Sequence, residues 1–202
     1  TNNALQGGIL VLLILTLFLR PAIAFWVFLG IPVSFMGAFI VMPFFDVTLN
    51  VMSLFAFILV LGIVVADAIV TGENVYTHLK SSENGLQAAI NGTQEVAVPV
   101  TFGVLTTIAA FLPLGFIEGD RGSMFTLIPV VVIPILLFSL LESKFVLPAH
   151  LKNIRLQKNS ARENRFTLWQ QKFANDFENA ILRYYHPLLN ICLRNHLNTV
   201  LI

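Results

Sequence analysis

The chain has 202 residues, 56% of them hydrophobic and only 11% charged, with a mean hydropathy of +0.81. Soluble domains carry roughly a quarter charged residues, so this chain lacks the surface to stay dissolved. A net charge of +1 implies no nucleic acid or other bulk electrostatic partner, and a single cysteine, Cys192, rules out an internal disulfide.

Several apolar runs exceed the roughly 18 residues that mark a bilayer-spanning helix. The first span runs from about Ala4 to Leu19 and stops at Arg20-Pro21. The second covers about Ala22 to Phe45, and the third starts near Val47, stays apolar to about Val70 and continues as a polar helix toward Leu79. A connector from Lys80 to Glu95 holds an amphipathic turn (Leu86, Ala89, Ile90). The fourth span covers Val96 to Phe116 and is closed by the loop Glu118–Gly122. The fifth runs from about Met124 to Leu147 and ends at Pro148. Prolines 32, 99, 113, 129 and 134 lie in or at the ends of these runs, where packed membrane helices tolerate them.

The chain thus reads as an all-α, polytopic membrane bundle of five spans over 1–151. Residues 152–195 follow as a polar linker and an amphipathic helix, and 196–202 open a further span. In the amphipathic helix, the apolar residues at 166, 169, 173, 177, 181, 184 and 188 form one face. Such a helix either lies along the membrane surface or packs on a further domain. The chain begins at Thr1 with no basic n-region or cleavage site, so the first run is not a signal peptide. With an open apolar run at the other end, the sequence reads as a fragment. Arg20, Lys80 and eight Lys/Arg from Lys152 to Arg194 fall on one side, against Arg121 alone on the other. The positive-inside rule therefore puts the C-terminal side in the cytoplasm and the N-terminus on the opposite face.

Asp67 stands out because Leu61–Val70 is otherwise apolar and free of charge. An ionised carboxylate there costs a few kcal/mol even on gentle insertion scales. It must hold a proton, find a cation, or both, and the cation is either Lys144 or a residue outside this chain. Thr71, Asn74 and His78 follow at helical spacing and extend a polar stripe toward the cytoplasmic end, as a hydrated proton path would. The bland alternative is a structural acid bonded to a neighbouring helix. Glu73 near the inner boundary is either a packing residue or functional. Glu142 pairs either with Lys144, which can snorkel to the headgroups, or with another helix. Gly62 and Ala66 form a small-xxx-small pair suited to close helix packing. Thr101, Thr106 and Thr107 bond their own helix backbone or line a path. The four histidines show no metal-ligand spacing, and no metal site, cofactor motif or hydrolase motif is present.

The segment Gly62-Ile-Val-Val-Ala-Asp-Ala-Ile-Val-Thr-Gly-Glu-Asn-Val75 resembles the fourth-helix signature of resistance-nodulation-division (RND) efflux permeases. Ala88–Pro99, Phe111–Phe116 and Ser139–Leu151 resemble that family's next connector, the end of its fifth helix and its sixth helix in one hydrophobic and amphiphilic exporter branch. The resemblance implies that the five spans are the family's second to sixth helices. It implies a proton-coupled exporter of the bacterial inner membrane, a homotrimer working with a periplasmic adaptor and an outer-membrane channel. The remaining half of the same transporter would supply a lysine to the acids. Asp67 matches the second acid of the family's pair, and Ala66 stands where the first would be. That substitution also suits a degenerate, non-transporting membrane subunit. A protein-export or lipid-handling member of the superfamily is a further alternative.

Overall fold

A computed structural model describes residues 2–18, 21–82, 84–119, 122–154, 172, 176 and 179–194. The chain divides into two compact units, Thr1–Leu156 and Gln157–Ile202.

The first unit is a helical bundle. Helix α1 spans Asn2–Phe18 and α2 spans Pro21–Val41, which tightens into a 3-10 turn over Met42–Phe45. Helix α3 runs Val51–Ser81, α4 runs Gly85–Phe111, and a second 3-10 turn follows over Leu112–Phe116. Helix α5 (Gly122–Leu141) passes through a π-helical turn, Glu142–Val146, into α6 (Leu147–Leu151), forming one continuous rod. Four of these helical stretches are long and apolar enough to cross a membrane: Pro21–Phe45, Val51–Ser81, Gly85–Phe116 and Met124–Leu151. Helix α1 is apolar but has 17 described residues, so among the described residues four helices reach spanning length where five were expected.

Local chemistry explains the ends. Asn50 caps α3 through a reciprocal box: Asn50 Oδ1 accepts from the Ser53 amide at 2.9 Å, and Ser53 Oγ accepts from the Asn50 amide at 2.8 Å. The helix therefore starts at Val51, not near Val47. Asn84 accepts from the amides of Leu86 (3.1 Å) and Gln87 (3.4 Å), which starts α4 at Gly85. The expected connector up to Glu95 is therefore mostly helix. Pro148 does not end the last rod. Proline cannot donate to the carbonyl four residues earlier and crowds it. The widened turn just before it, closed by the Leu147 amide on the Glu142 carbonyl, takes up the mismatch and the helix runs on to Leu151.

Helix α3 is the hub, packing on α2, α4, α5 and α6, while α1 lies on α2. One apolar core gathers Val60, Val64, Val104, Val131, Val132 and Ile135, and a second gathers Ile23, Val27, Val75, Leu147 and Leu151. The outward faces are apolar as well: Phe44 is 82% exposed, Val51 85% and Ile58 71%. A monomer in water rarely exposes apolar surface so widely, so the bundle's solvent is lipid.

In the second unit, a π-helical turn Ile181–Tyr185 leads into α7, His186–Arg194. Ile181, Leu182, Tyr185, Leu189 and Leu193 are exposed. Most of the expected amphipathic helix before residue 179, and the expected span opening at 196–202, lie outside the described residues.

Candidate proton-coupling site

Helix α3 carries Asp67 on the edge of its packed face, between the buried Val64 and Thr71 on one side and the outward Ala66 and Val70 on the other. Asp67 is half-buried. Its Oδ2 is shut off from solvent and has no hydrogen-bond partner among the described residues. Buried carboxylate oxygens almost always have partners, so an orphan in the middle of an apolar helix marks a site that something else completes.

Of the polar residues that follow Asp67 on α3, Asn74 and His78 bond α4. Asn74 Nδ2 donates to the Gly92 carbonyl at 2.7 Å and to Glu95 Oε2 at 3.1 Å, and His78 Nε2 meets the same Glu95 oxygen at 2.8 Å. Thr71 is 2% exposed. Close approach permits this cluster: a Cβ on Gly92 would stand 2.6 Å from Val75 Cα and 3.0 Å from the Asn74 carbonyl oxygen. Glu95 is the residue that sequence reasoning missed. The apolar spacing places it in a connector, yet the Asn84 cap and the spacing of Leu86, Ala89 and Ile90 mark a helix whose next turns carry Glu95 beside Asn74 and His78.

The second acid of the bundle is Glu142, 4% exposed. It does not meet Lys144. Residues two apart on a helix do not face each other. Lys144 Nζ instead donates to Thr101 Oγ1 on α4, so the nearest cation in sequence serves neither Asp67 nor Glu142. Thr101 passes its own hydroxyl to the Ala97 carbonyl, while Thr106 and Thr107 bond the carbonyls of Phe102 and Gly103 at 2.7 and 2.9 Å, as helix-backbone bonding predicts. Glu73 is exposed. Gly62 has open space around it and Ala66 is exposed, so within this chain the small-residue pair packs on no described helix. No group of three metal-ligating side chains is found among the described residues.

Four long apolar helices, lipid-facing side chains and a membrane-embedded acid define a multi-pass membrane protein. The chain belongs to the AcrB/AcrD/AcrF family of RND transporters, whose family model matches residues 1–202. It is 36% identical over 121 residues to a protein of Haemophilus influenzae described as an uncharacterized transporter, covering 59% of this chain and 12% of that protein. It is 37% identical over 140 residues to the multidrug resistance protein MdtC of Pectobacterium carotovorum, covering 69% of this chain and 14% of that protein. These matches span only about an eighth to a seventh of the relatives' length. Transport, rather than enzymatic turnover, is the family's work.

Proposed function

We propose that this chain forms part of the membrane domain of a proton-coupled exporter of amphiphilic and multidrug compounds in a bacterial inner membrane, with Asp67 as the proton carrier. The observation that carries this reading is the orphaned Asp67 Oδ2, shielded in a lipid-facing bundle and matched by no cation among the described residues. Thr71 and Asn74 lie on its cytoplasmic side as relay positions, and the new Glu95–His78 pair extends the stripe outward. Asp67 and Asn74 are seven residues apart, about 10.5 Å along the helix, so a proton crosses that gap on water. By resemblance, the remaining half of the transporter supplies the cation, and the assembly is a trimer with a periplasmic adaptor and an outer-membrane channel.

Ala66 supports a second reading, a degenerate subunit that no longer transports. Wild type and Asp67→Asn together separate the two in a transporter of the relatives' length carrying this sequence, reconstituted in liposomes under a proton gradient: no efflux from the wild type means the second reading. The amide keeps the shape but cannot titrate, so expression should persist and dye efflux should vanish. Wild-type efflux in that variant would reduce Asp67 to a structural acid.

A further inference from the structure

The bundle holds a second acid that the Asp67 pathway does not use. Glu142 lies at the interface of α2 with the α5–α6 rod, and four observations converge on it. It is 4% exposed, with no hydrogen bond or ion pair among the described residues. Its carboxyl lies flat against Gly30 of α2, where an added Cβ would stand 2.5 Å from Cδ and 2.7 Å from Oε2. It opens the π-helical turn Glu142–Val146, and such turns inside α-helices recur at functional sites. Ser139, one turn earlier on the same side of the helix, is 1% exposed and its hydroxyl has no partner.

The groups around this carboxyl are few. Helix α2 carries no titratable side chain from Pro21 to Val41, and Ser34 on its next turn is bonded to the Gly30 carbonyl at 3.0 Å. Helix α3 contributes Asp67, Glu73, Tyr76, His78 and Lys80, of which Glu73 is exposed, His78 is taken by Glu95 and Lys80 lies over the Tyr76 ring. On the rod itself, Lys144 bonds Thr101, and His150 stacks on Trp26 with ring centres 4.0 Å apart. Among the described residues no cation pairs with Glu142. An unpaired ionised carboxylate in such a place costs several kcal/mol, so the packed bundle accommodates the neutral acid.

Glu142 also lies on the same side of a shared contact as Asp67. Gly72 of α3 touches α2 and α6 at one level, where a Cβ would stand 3.2 Å from Val27 Cγ2 and 3.9 Å from Leu147 Cδ2. Asp67 precedes Gly72 by five residues, about 7.5 Å of α-helix, and Glu142 precedes Leu147 by the π-helical turn. Helices α3 and α5 run the same way, so both acids lie in the same direction from that contact.

We propose that Glu142 is a second proton-binding site, held neutral against Gly30 while α2 and the rod are packed, and able to ionise only when that interface opens. The site rests on the transporter reading above but not on Asp67's role.

Two measurements on the full-length transporter test it. Infrared spectroscopy should show a protonated-carboxyl C=O band that vanishes in Glu142→Gln, persists in Asp67→Asn and shifts in Gly30→Ala, whose methyl displaces the carboxyl. In liposomes, Glu142→Gln should keep the wild-type melting profile yet lower proton-driven efflux at least tenfold, with partial recovery in Glu142→Asp. Absence of that band from the wild type overturns the proposal. So does unchanged efflux in Glu142→Gln, because the acid would then be neutral packing. If Glu142→Gln does not fold, the Gly30→Ala band shift decides: a band that stays in place overturns the site. Loss of efflux in Asp67→Asn alone defeats only the Glu142 site, and loss in Glu142→Gln alone defeats only the role given to Asp67.

Discussion

Gly92→Ala probes the contact on which the Asn74–His78–Glu95 cluster depends. The added methyl would stand 2.6 Å from Val75 Cα and 2.9 Å from its amide nitrogen, both backbone atoms that cannot swing aside. Ordinary contact begins at 3.4 Å, so α3 and α4 must separate by about 0.8 Å or more. Overpacking of this kind costs roughly 1–3 kcal/mol. The same movement stretches the 2.7 Å bond from Asn74 to the Gly92 carbonyl toward the limit of hydrogen bonding, a loss of about 0.5–1.5 kcal/mol. Alanine returns up to about 1 kcal/mol in helix propensity. The net expectation is a loss of about 1–3 kcal/mol, roughly a five- to 150-fold shift in the folding equilibrium. Helical circular dichroism during unfolding in mixed micelles with rising SDS would read it. Gly62→Ala is the control, because nothing lies within 4 Å of a Cβ there. If Gly92→Ala unfolds at the same SDS fraction as Gly62→Ala, the close α3–α4 approach is wrong, and the Asn74–His78–Glu95 cluster with it.

Two further expectations concern Asp67's neighbour and the topology. Ala66→Asp places a second carboxylate next to Asp67 and should raise dye efflux by proteoliposomes if the scaffold is competent but lacks an acid; unchanged efflux in a folded variant would mean that one acid suffices or that the protein does not pump. In a protein lacking Cys192, a cysteine replacing Glu118 should react with an impermeant thiol reagent on intact cells, while one replacing Lys158 should not. Labelling at 158 from outside would reverse the proposed orientation.

The spans were legible because a run of about 20 apolar residues has one common physical meaning in a chain this poor in charge. Asp67 was legible for the same reason, as the one charge in an otherwise apolar run. Details set by pairs of helices were not legible. The Glu142 and Lys144 side chains are two residues apart in sequence, yet one turns to Gly30 of α2 and the other to Thr101 of α4. Nothing in the local pattern says which helix each will meet. Pro148 read as a stop because sequence rules assume an α-helical turn before it, and the π-helical turn breaks that assumption. Glu95 was hidden by a boundary error. Gly62 and Ala66 matched a packing motif, but a motif cannot say whether its partner lies within the same chain.

The two acids differ in what would ionise them, and that difference follows from their neighbours. Asp67 sits at an edge, next to a face of α3 that presents Gly62, Ala66 and Glu73 outward. Its Oδ2 is shut off from solvent, but the edge position leaves the residue as a whole only half-buried. Among the described residues, Lys144 bonds Thr101, His78 meets Glu95, and Lys80 lies over the Tyr76 ring at 4.5 Å. In the proposed reading, the cation that ionises Asp67 comes from the remaining half of the transporter. Glu142 is packed differently: it is 4% exposed and its carboxyl lies against Gly30 of α2, so in the proposal above separation of α2 from the rod is what frees it. One acid is thus placed to respond to the arrival of a partner, the other to the movement of a helix. In the proposed reading, a transporter that ties proton movement to a change of shape would use both kinds of response.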